Sequence, residues 1–228
     1  ELLARVVAAV SGAGTLTLGT GAIVTGLGML NVTSSSVVVA SSFTSTVASL
    51  NVTSTSIAGP GTLVNGAGGT LRLTGSTANA PLDNQGLLQV LGTDSIKGGL
   101  TTGTSSTLEV LGAGSVGHAT LVVTSGFTNN GILQLGGTGG GWDGFLTVTG
   151  GPLVNAAGAQ LVVPAVAGSL GIMTGSLTNQ GTVTLGEALT VSGQLIVPIG
   201  SGDSFTGNGS LLTVAGIDVD GTTFDNVR

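Results

Sequence analysis

Apolar and polar residues alternate in short runs along this chain, and many runs are entered through one returning phrase: an apolar residue, any residue, Asn, a small spacer, Gly. It reads Leu63-Val64-Asn65 before Leu71-Arg72-Leu73, Leu82-Asp83-Asn84-Gln85-Gly86 before Leu88-Gln89-Val90, and Phe127-Thr128-Asn129-Asn130-Gly131 before Ile132-Leu133-Gln134-Leu135. It returns as Leu153-Val154-Asn155 before Leu161-Val162-Val163, and as Leu177-Thr178-Asn179-Gln180-Gly181 before Val183-Thr184-Leu185. In a pair such as Leu30-Asn31-Val32-Thr33 and Leu50-Asn51-Val52-Thr53, alternation puts Leu and Val on one face and Asn and Thr on the other. Runs this short, rich in β-branched residues and bounded by Gly, Ser, Asn and Thr, are strands rather than helices.

A turn-then-strand unit that repeats buries its apolar face only against its neighbours, which is the signature of a solenoid. The pattern therefore predicts an all-β chain: a right-handed parallel β-helix (β-solenoid) of about eleven irregular coils, forming one domain over residues 1–228. Coil starts are expected near Leu16, Leu30, Leu50, Leu71, Leu87, Leu108, Ile132, Leu161, Thr182, Leu195 and Leu211. At about 4.8 Å per strand they stack into a rod on the order of 50 Å long. An Asn at a coil corner tolerates left-handed backbone and its amide bonds the backbone or a stacked copy of itself. A partial structural ladder is expected from Asn65, Asn84, Asn129, Asn155 and Asn179. Their spacing is uneven (84 − 65 = 19, 129 − 84 = 45), so some coils must carry excursions, and a metronomic ice-binding or calcium-repeat solenoid is disfavoured.

The first residues read differently. Leu2, Leu3, Val6, Val7 and Val10 fall at helical spacing, with Glu1 and Arg5 placed for an i,i+4 pair, so residues 1–14 are expected to form a cap or docking segment, helical over 1–10. The alternative is another strand. The final coil, Leu211 to Arg228, has no helical or Pro-rich cap, and a strand edge without one is a template for another chain.

Composition narrows the class. Charged residues make up 6% of the chain against 41% apolar, with 43 Gly, which fits neither a disordered tail nor a Lys/Glu-rich helical protein. There is no Cys, which removes disulfides and thiolate metal sites. Four Lys plus Arg against ten Asp plus Glu make nucleic acid a poor partner. Mean hydropathy is positive, yet no apolar stretch reaches about 18 residues, so no membrane span is expected. A lipid-facing barrel needs aromatic girdles, and the chain has five Phe, one Trp and no Tyr. The chain opens at Glu1 rather than Met, so any signal peptide is expected to be gone already, and export is expected from composition.

The Asn-Gly-strand phrase, together with the segment from Gly202-Asp203-Ser204-Phe205 through Leu211-Leu212-Thr213-Val214 to Gly221-Thr222-Thr223-Phe224, resembles the passenger regions of bacterial autotransporter-like and filamentous-haemagglutinin-like surface proteins. The resemblance covers roughly residues 60 to 228. It implies a parallel β-helix displayed outside a bacterial cell, adhesive or structural, and it implies no particular ligand. No translocating barrel of the kind such proteins usually carry is expected within residues 1–228.

Candidate chemistry is thin. Residues Gly112-Ala113-Gly114-Ser115-Val116-Gly117 match a dinucleotide fingerprint, but a strand-like run from Ala119 follows where a helix is needed and no acid lies between 110 and 142 to hold a ribose, so a Gly-rich turn is the better reading. His118 is the only His, which forbids a His-based metal cage. Asp218 and Asp220 would share a strand face and are weak calcium candidates. Residues 139–145 approach the calcium nonapeptide, in a single copy. Trp142, in the most Gly-rich loop, is the candidate ligand contact, by stacking on a sugar or a partner protein; the plainer reading packs it over the coil. Asn31, Asn51 and Asn208 sit in glycosylation triplets that matter only in a secretory eukaryotic context.

No catalytic residue, cofactor site or secure metal site follows. The expectation is a non-catalytic extracellular or cell-surface bacterial protein, adhesive or structural, that self-associates end to end or laterally into a fibre or sheath. A carbohydrate-binding or carbohydrate-active β-helix is the alternative, with surface polysaccharide or a host-cell ligand as partner.

Overall fold

The computed structural model describes residues 6–20, 22, 27–198, 203–219 and 223–228, and all regular structure among them is β-strand, in runs of two to nine residues. Eleven strands form one parallel sheet: Val6–Ser11, Leu27–Thr33, Ser49–Thr53, Thr70–Thr74, Leu87–Leu91, Thr107–Gly112, Ile132–Gly137, Gln160–Val163, Thr182–Leu185, Ser204–Ser210 and Thr223–Val227. Each pairs with the next, so the eleven strands bound ten turns of a β-solenoid. Between them the chain passes through a second face, which begins with Thr15–Leu18 and Ser36–Val39, and a third, which begins with Phe43–Ser45 and Leu63–Asn65.

Register makes the core. Leu30, Leu50, Leu71, Leu88, Leu108, Leu133, Leu161, Val183 and Phe205 lie over one another through nine successive strands, all buried. A parallel column sits two residues along, Val32, Val52, Leu73, Val90 and Val110. Burial of each such side chain contributes roughly 1.5 to 3 kcal/mol, so the rod is held coil by coil rather than by one central core. Turn length is not fixed: 17 residues separate Leu71 from Leu88, and 28 separate Leu133 from Leu161. The second-face sheet runs on into the third face, 13 strands in all, because Leu189–Val197 turns the corner unbroken, pairing with the second-face strand Gly171–Thr174 through its first half and with the third-face strand Leu177–Asn179 through its second.

Two sequence expectations need correction. Residues 6–10 are not helical: Val6–Ser11 is a strand in parallel register with the strand Leu27–Thr33, with Val10 opposite Val32. The helical spacing of its Val residues is overridden by ladder bonding and by packing of Ala8 and Val10 on the core, which β-branched side chains favour. Glu1, Leu2, Leu3 and Arg5 lie outside the described residues. Three expected coil starts are also misplaced. Leu16 belongs to a second-face strand, Leu195 to the third-face half of Leu189–Val197, where it pairs with Leu177, and Leu211 immediately precedes the strand Leu212–Val219; the first-sheet strands there begin at Val6, Ser204 and Thr223. Alternation is the same on every face, so the pattern alone does not say which face a strand occupies.

One inward column is polar. The Thr55 N–H donates to Ser76 Oγ at 3.2 Å, and the Ser76 N–H donates to Asp94 Oδ1 at 2.7 Å. The column ends there, because the next residue in register is Leu121. Asp94 is 2% exposed, and its Oδ2 has no hydrogen-bond partner among the described residues. Burial pushes its carboxyl up to about 7, against partial opposition from the Ser76 and Leu91 backbone amides. Because the folded value lies above the unfolded 3.8, the stability linked to Asp94 is fully present below about pH 4 and is lost as pH rises through about 7. Three units correspond to about 4 kcal/mol. Denaturant unfolding of Asp94→Asn and the parent should therefore diverge between pH 4 and 8, with the variant gaining several kcal/mol relative to the parent. Parallel pH curves for the two proteins would refute this.

Candidate functional site

The corner between the third face and the first sheet carries the five repeated Asn residues. Asn65, Asn84, Asn129, Asn155 and Asn179 are all buried at 2% exposure or less. Asn65 Nδ2 donates to Asn84 Oδ1 at 2.7 Å, and Asn84 Nδ2 donates to the Thr107 carbonyl at 2.9 Å. Farther along, Asn129 Nδ2 donates to Asn155 Oδ1 at 2.9 Å and Asn155 Nδ2 to Asn179 Oδ1 at 2.8 Å, ending on the Gly181 carbonyl at 3.0 Å. Thr102 interrupts the stack. Its hydroxyl accepts the Asn130 N–H at 2.9 Å and donates to the Thr128 carbonyl at 3.0 Å, standing in for both a rung and a ladder bond.

The corners alternate in length, which explains why the phrase varies. Residues 66–69, 103–106 and 156–159 are wide turns closed by the bonds Gly69 N–H to Gly66 O, Ser106 N–H to Gly103 O and Ala159 N–H to Ala156 O. The coil above each is tight: Asn84-Gln85-Gly86, Asn129-Asn130-Gly131 and Asn179-Gln180-Gly181. Glycine is required in the tight corner by proximity. A Cβ on Gly131 would collide with the Ser106 carbonyl oxygen and lie 2.8 Å from that of Gly103, and Gly86 and Gly181 meet the equivalent carbonyls below them.

The longest turns place their extra residues at a different corner, between the first and second faces. Segments 112–118, 137–143 and 164–170 stack there in three consecutive coils. The Thr138 N–H donates to the Gly112 carbonyl at 2.8 Å, the Gly141 N–H to the Gly168 carbonyl at 3.1 Å, and Ser169 Oγ to the Gly139 carbonyl at 2.8 Å. The chain's only Trp and only His meet in this stack. His118 lies edge-on to Trp142 at 5.4 Å between centroids and edge-on to Phe145 at 5.5 Å. Asp143 fastens them: its backbone N–H donates to His118 Nδ1 at 2.9 Å, its Oδ1 accepts the Leu170 N–H at 2.8 Å, and its Oδ2 is 3.6 Å from His118 Nδ1. Trp142 is half-buried against Gly114 and Gly117, so it does pack over the coil; His118 is exposed, and Leu170 is 39% exposed.

The remaining candidates separate. Segment 112–117 is a small hairpin with Ala113 bridged to Gly117, followed by the strand Ala119–Val123, so no helix N-terminus is offered to a pyrophosphate. Asp218 is exposed on the strand Leu212–Val219, and Asp220 lies outside the described residues. Among the described residues no three His, Cys, Asp or Glu side chains gather to hold a metal ion. Asn31 and Asn51 face outward and bond each other, with Asn51 Nδ2 donating to Asn31 Oδ1 at 2.7 Å. Sequence reasoning missed the tie between His118 and Asp143, which are 25 residues apart and meet only because two excursions stack. It also missed Asp94, although counting back two from inward-facing Ile96 puts Asp94 inside.

Comparison of the chain with protein-family models, with curated proteins and with solved structures found no match.

Two substitutions test the corner geometry. Asn155→Ala removes the middle rung, taking one of the acceptors of Asn129 Nδ2 and the side-chain donor to the buried Asn179 Oδ1, and should lower the unfolding free energy by about 1 to 3 kcal/mol. Gly131→Ala forces a methyl group onto two carbonyl oxygens and should cost at least as much, about 1 to 3 kcal/mol or more. Thermal melts read both, and an unchanged midpoint in either variant would contradict the account.

Proposed function

We infer that this chain is a non-catalytic β-solenoid of an extracellular or cell-surface bacterial protein, adhesive or structural in role, that self-associates. The observation that carries the reading is the apolar surface on the last coils. Leu211, Ile217 and Phe224 are 53%, 55% and 38% exposed, three of the four exposed large hydrophobic side chains among the described residues. They adjoin an open, mainly apolar hollow of about 230 Å³ lined by Leu212, Val214, Ile217, Phe224, Val227 and Arg228. Exposed apolar area of this kind favours association with a further apolar surface. The surface setting rests on the resemblance of residues 60 to 228 to passenger regions and on the scarcity of charge. The non-catalytic part rests on one His, no Cys and acids spread over separate coils.

Sedimentation and electron microscopy test the assembly. The expected outcome is association that grows with protein concentration and weakens in Ile217→Asp, while far-ultraviolet dichroism stays strand-like. A monomer over a wide concentration range would overturn self-association. Reducing ends released from acidic polysaccharides would overturn the non-catalytic reading.

A further inference from the structure

The solenoid keeps half of its Phe and Trp rings inside. Phe43, Phe127 and Phe205 are buried in the core, and Phe224 lies on the last described strand. The other two aromatic residues, Trp142 and Phe145, join the only His at one outward spot, where three excursions stack at the corner that leads into the second face. Register extends the spot along the sheet: Thr120 lies beside Phe145, Phe145 beside Ile172, and Ile172 beside Thr190, all outward and half-buried, with Leu170 at the rim.

The polar groups here are neutral or already engaged. Because His118 Nδ1 accepts the Asp143 N–H, the neutral ring keeps its proton on Nε2 as a donor. Asp143, the only acid in the three excursions, has Oδ1 on the Leu170 amide and Oδ2 beside His118. No Lys or Arg occurs between Lys97 and Arg228. An anionic ligand therefore finds no Lys or Arg to pair with and the one carboxylate is already engaged, whereas a ring with one apolar face and hydroxyls at its edge finds both aromatic surface and a hydrogen-bond donor.

We propose that His118, Trp142 and Phe145, with Leu170 and Ile172 at the edge, form a binding site for neutral polysaccharide. The aromatic edges and faces take the apolar side of a pyranose ring, and His118 Nε2 and the Thr120 hydroxyl bond its equatorial oxygens. Strands about 4.8 Å apart repeat on nearly the length of a sugar residue, so a glycan chain running along the rod meets Thr120, Phe145 and Ile172 in succession. The site rests on the solenoid being an extracellular surface protein, and it supplies the ligand class for the adhesive role.

Affinity electrophoresis in gels containing dextran, mannan, laminarin or hydroxyethyl cellulose tests it, with alginate and polygalacturonate as acidic counterparts. At least one neutral polysaccharide should retard the protein. Trp142→Ala and Phe145→Ser should each weaken the retardation roughly tenfold. Phe145→Ser alters an outward strand position and keeps the stacked excursions, so it stands should Trp142→Ala fail to fold. Lack of retardation by every neutral polysaccharide, retardation confined to the acidic ones, or equal retardation of parent and Phe145→Ser would each overturn the site. Sedimentation of the same samples reads self-association separately, so the site and the assembly can fail independently.

Discussion

Parallel stacking in register is the constraint on which everything else in this molecule depends. When each strand bonds the equivalent strand one turn away, a side chain's principal neighbours are its own counterparts above and below. Apolar positions then become continuous columns, as in the run from Leu30 to Phe205, and a polar residue can enter the interior only if its column supplies partners. Asparagine satisfies that condition because its amide donates upward and accepts from below. Serine and threonine satisfy it more weakly, as at Thr55 and Ser76. Asp94 satisfies it on one oxygen only, since its column is polar on one side and Leu121 on the other. The raised carboxyl follows from that position.

The same constraint determines where the fold tolerates variation. Backbone bonds at a corner need only the entry and exit residues in register, so a corner holds extra residues at little cost to the strands on either side. Variation is nevertheless unevenly distributed. The Asn corner alternates between wide and tight turns and admits little else, because each tight-corner Gly lies against the carbonyls of the wide turn below it. Long excursions therefore collect at the corner between the first and second faces. There three of them support one another and carry outward rings that no core column could hold.

In a rod stabilised coil by coil the chemistry sits on faces and ends. The two surfaces that depart from the plain hydroxyl-rich faces differ in kind. The last coils present exposed Leu211, Ile217 and Phe224, which suit another apolar surface. The excursion cluster presents rings tied in place by hydrogen bonds, which suit a discrete ligand.

Period-2 alternation and the returning Asn were enough to read strands, coils and an inward Asn column, because in a solenoid local pattern and tertiary neighbour coincide: the residue one turn away has the same type. The sequence by itself determined the β-solenoid class and the ladder of corner Asn residues, whereas the need for Gly after Asn in every second coil came from the wide turn stacked below it. The sequence did not determine which face a strand occupies, so Leu16 and Leu195 read as first-sheet positions when they belong to the second and third faces. Nor did it determine the state of residues 6–10, whose Val spacing fits a helix until a neighbouring strand offers its unpaired edge. Only the tertiary structure brought His118 to Asp143 and Trp142, and left Asp94 with one oxygen unpaired. Those relations depend on how many residues each excursion inserts and on which residue follows in register, and neither leaves a periodic trace in the chain.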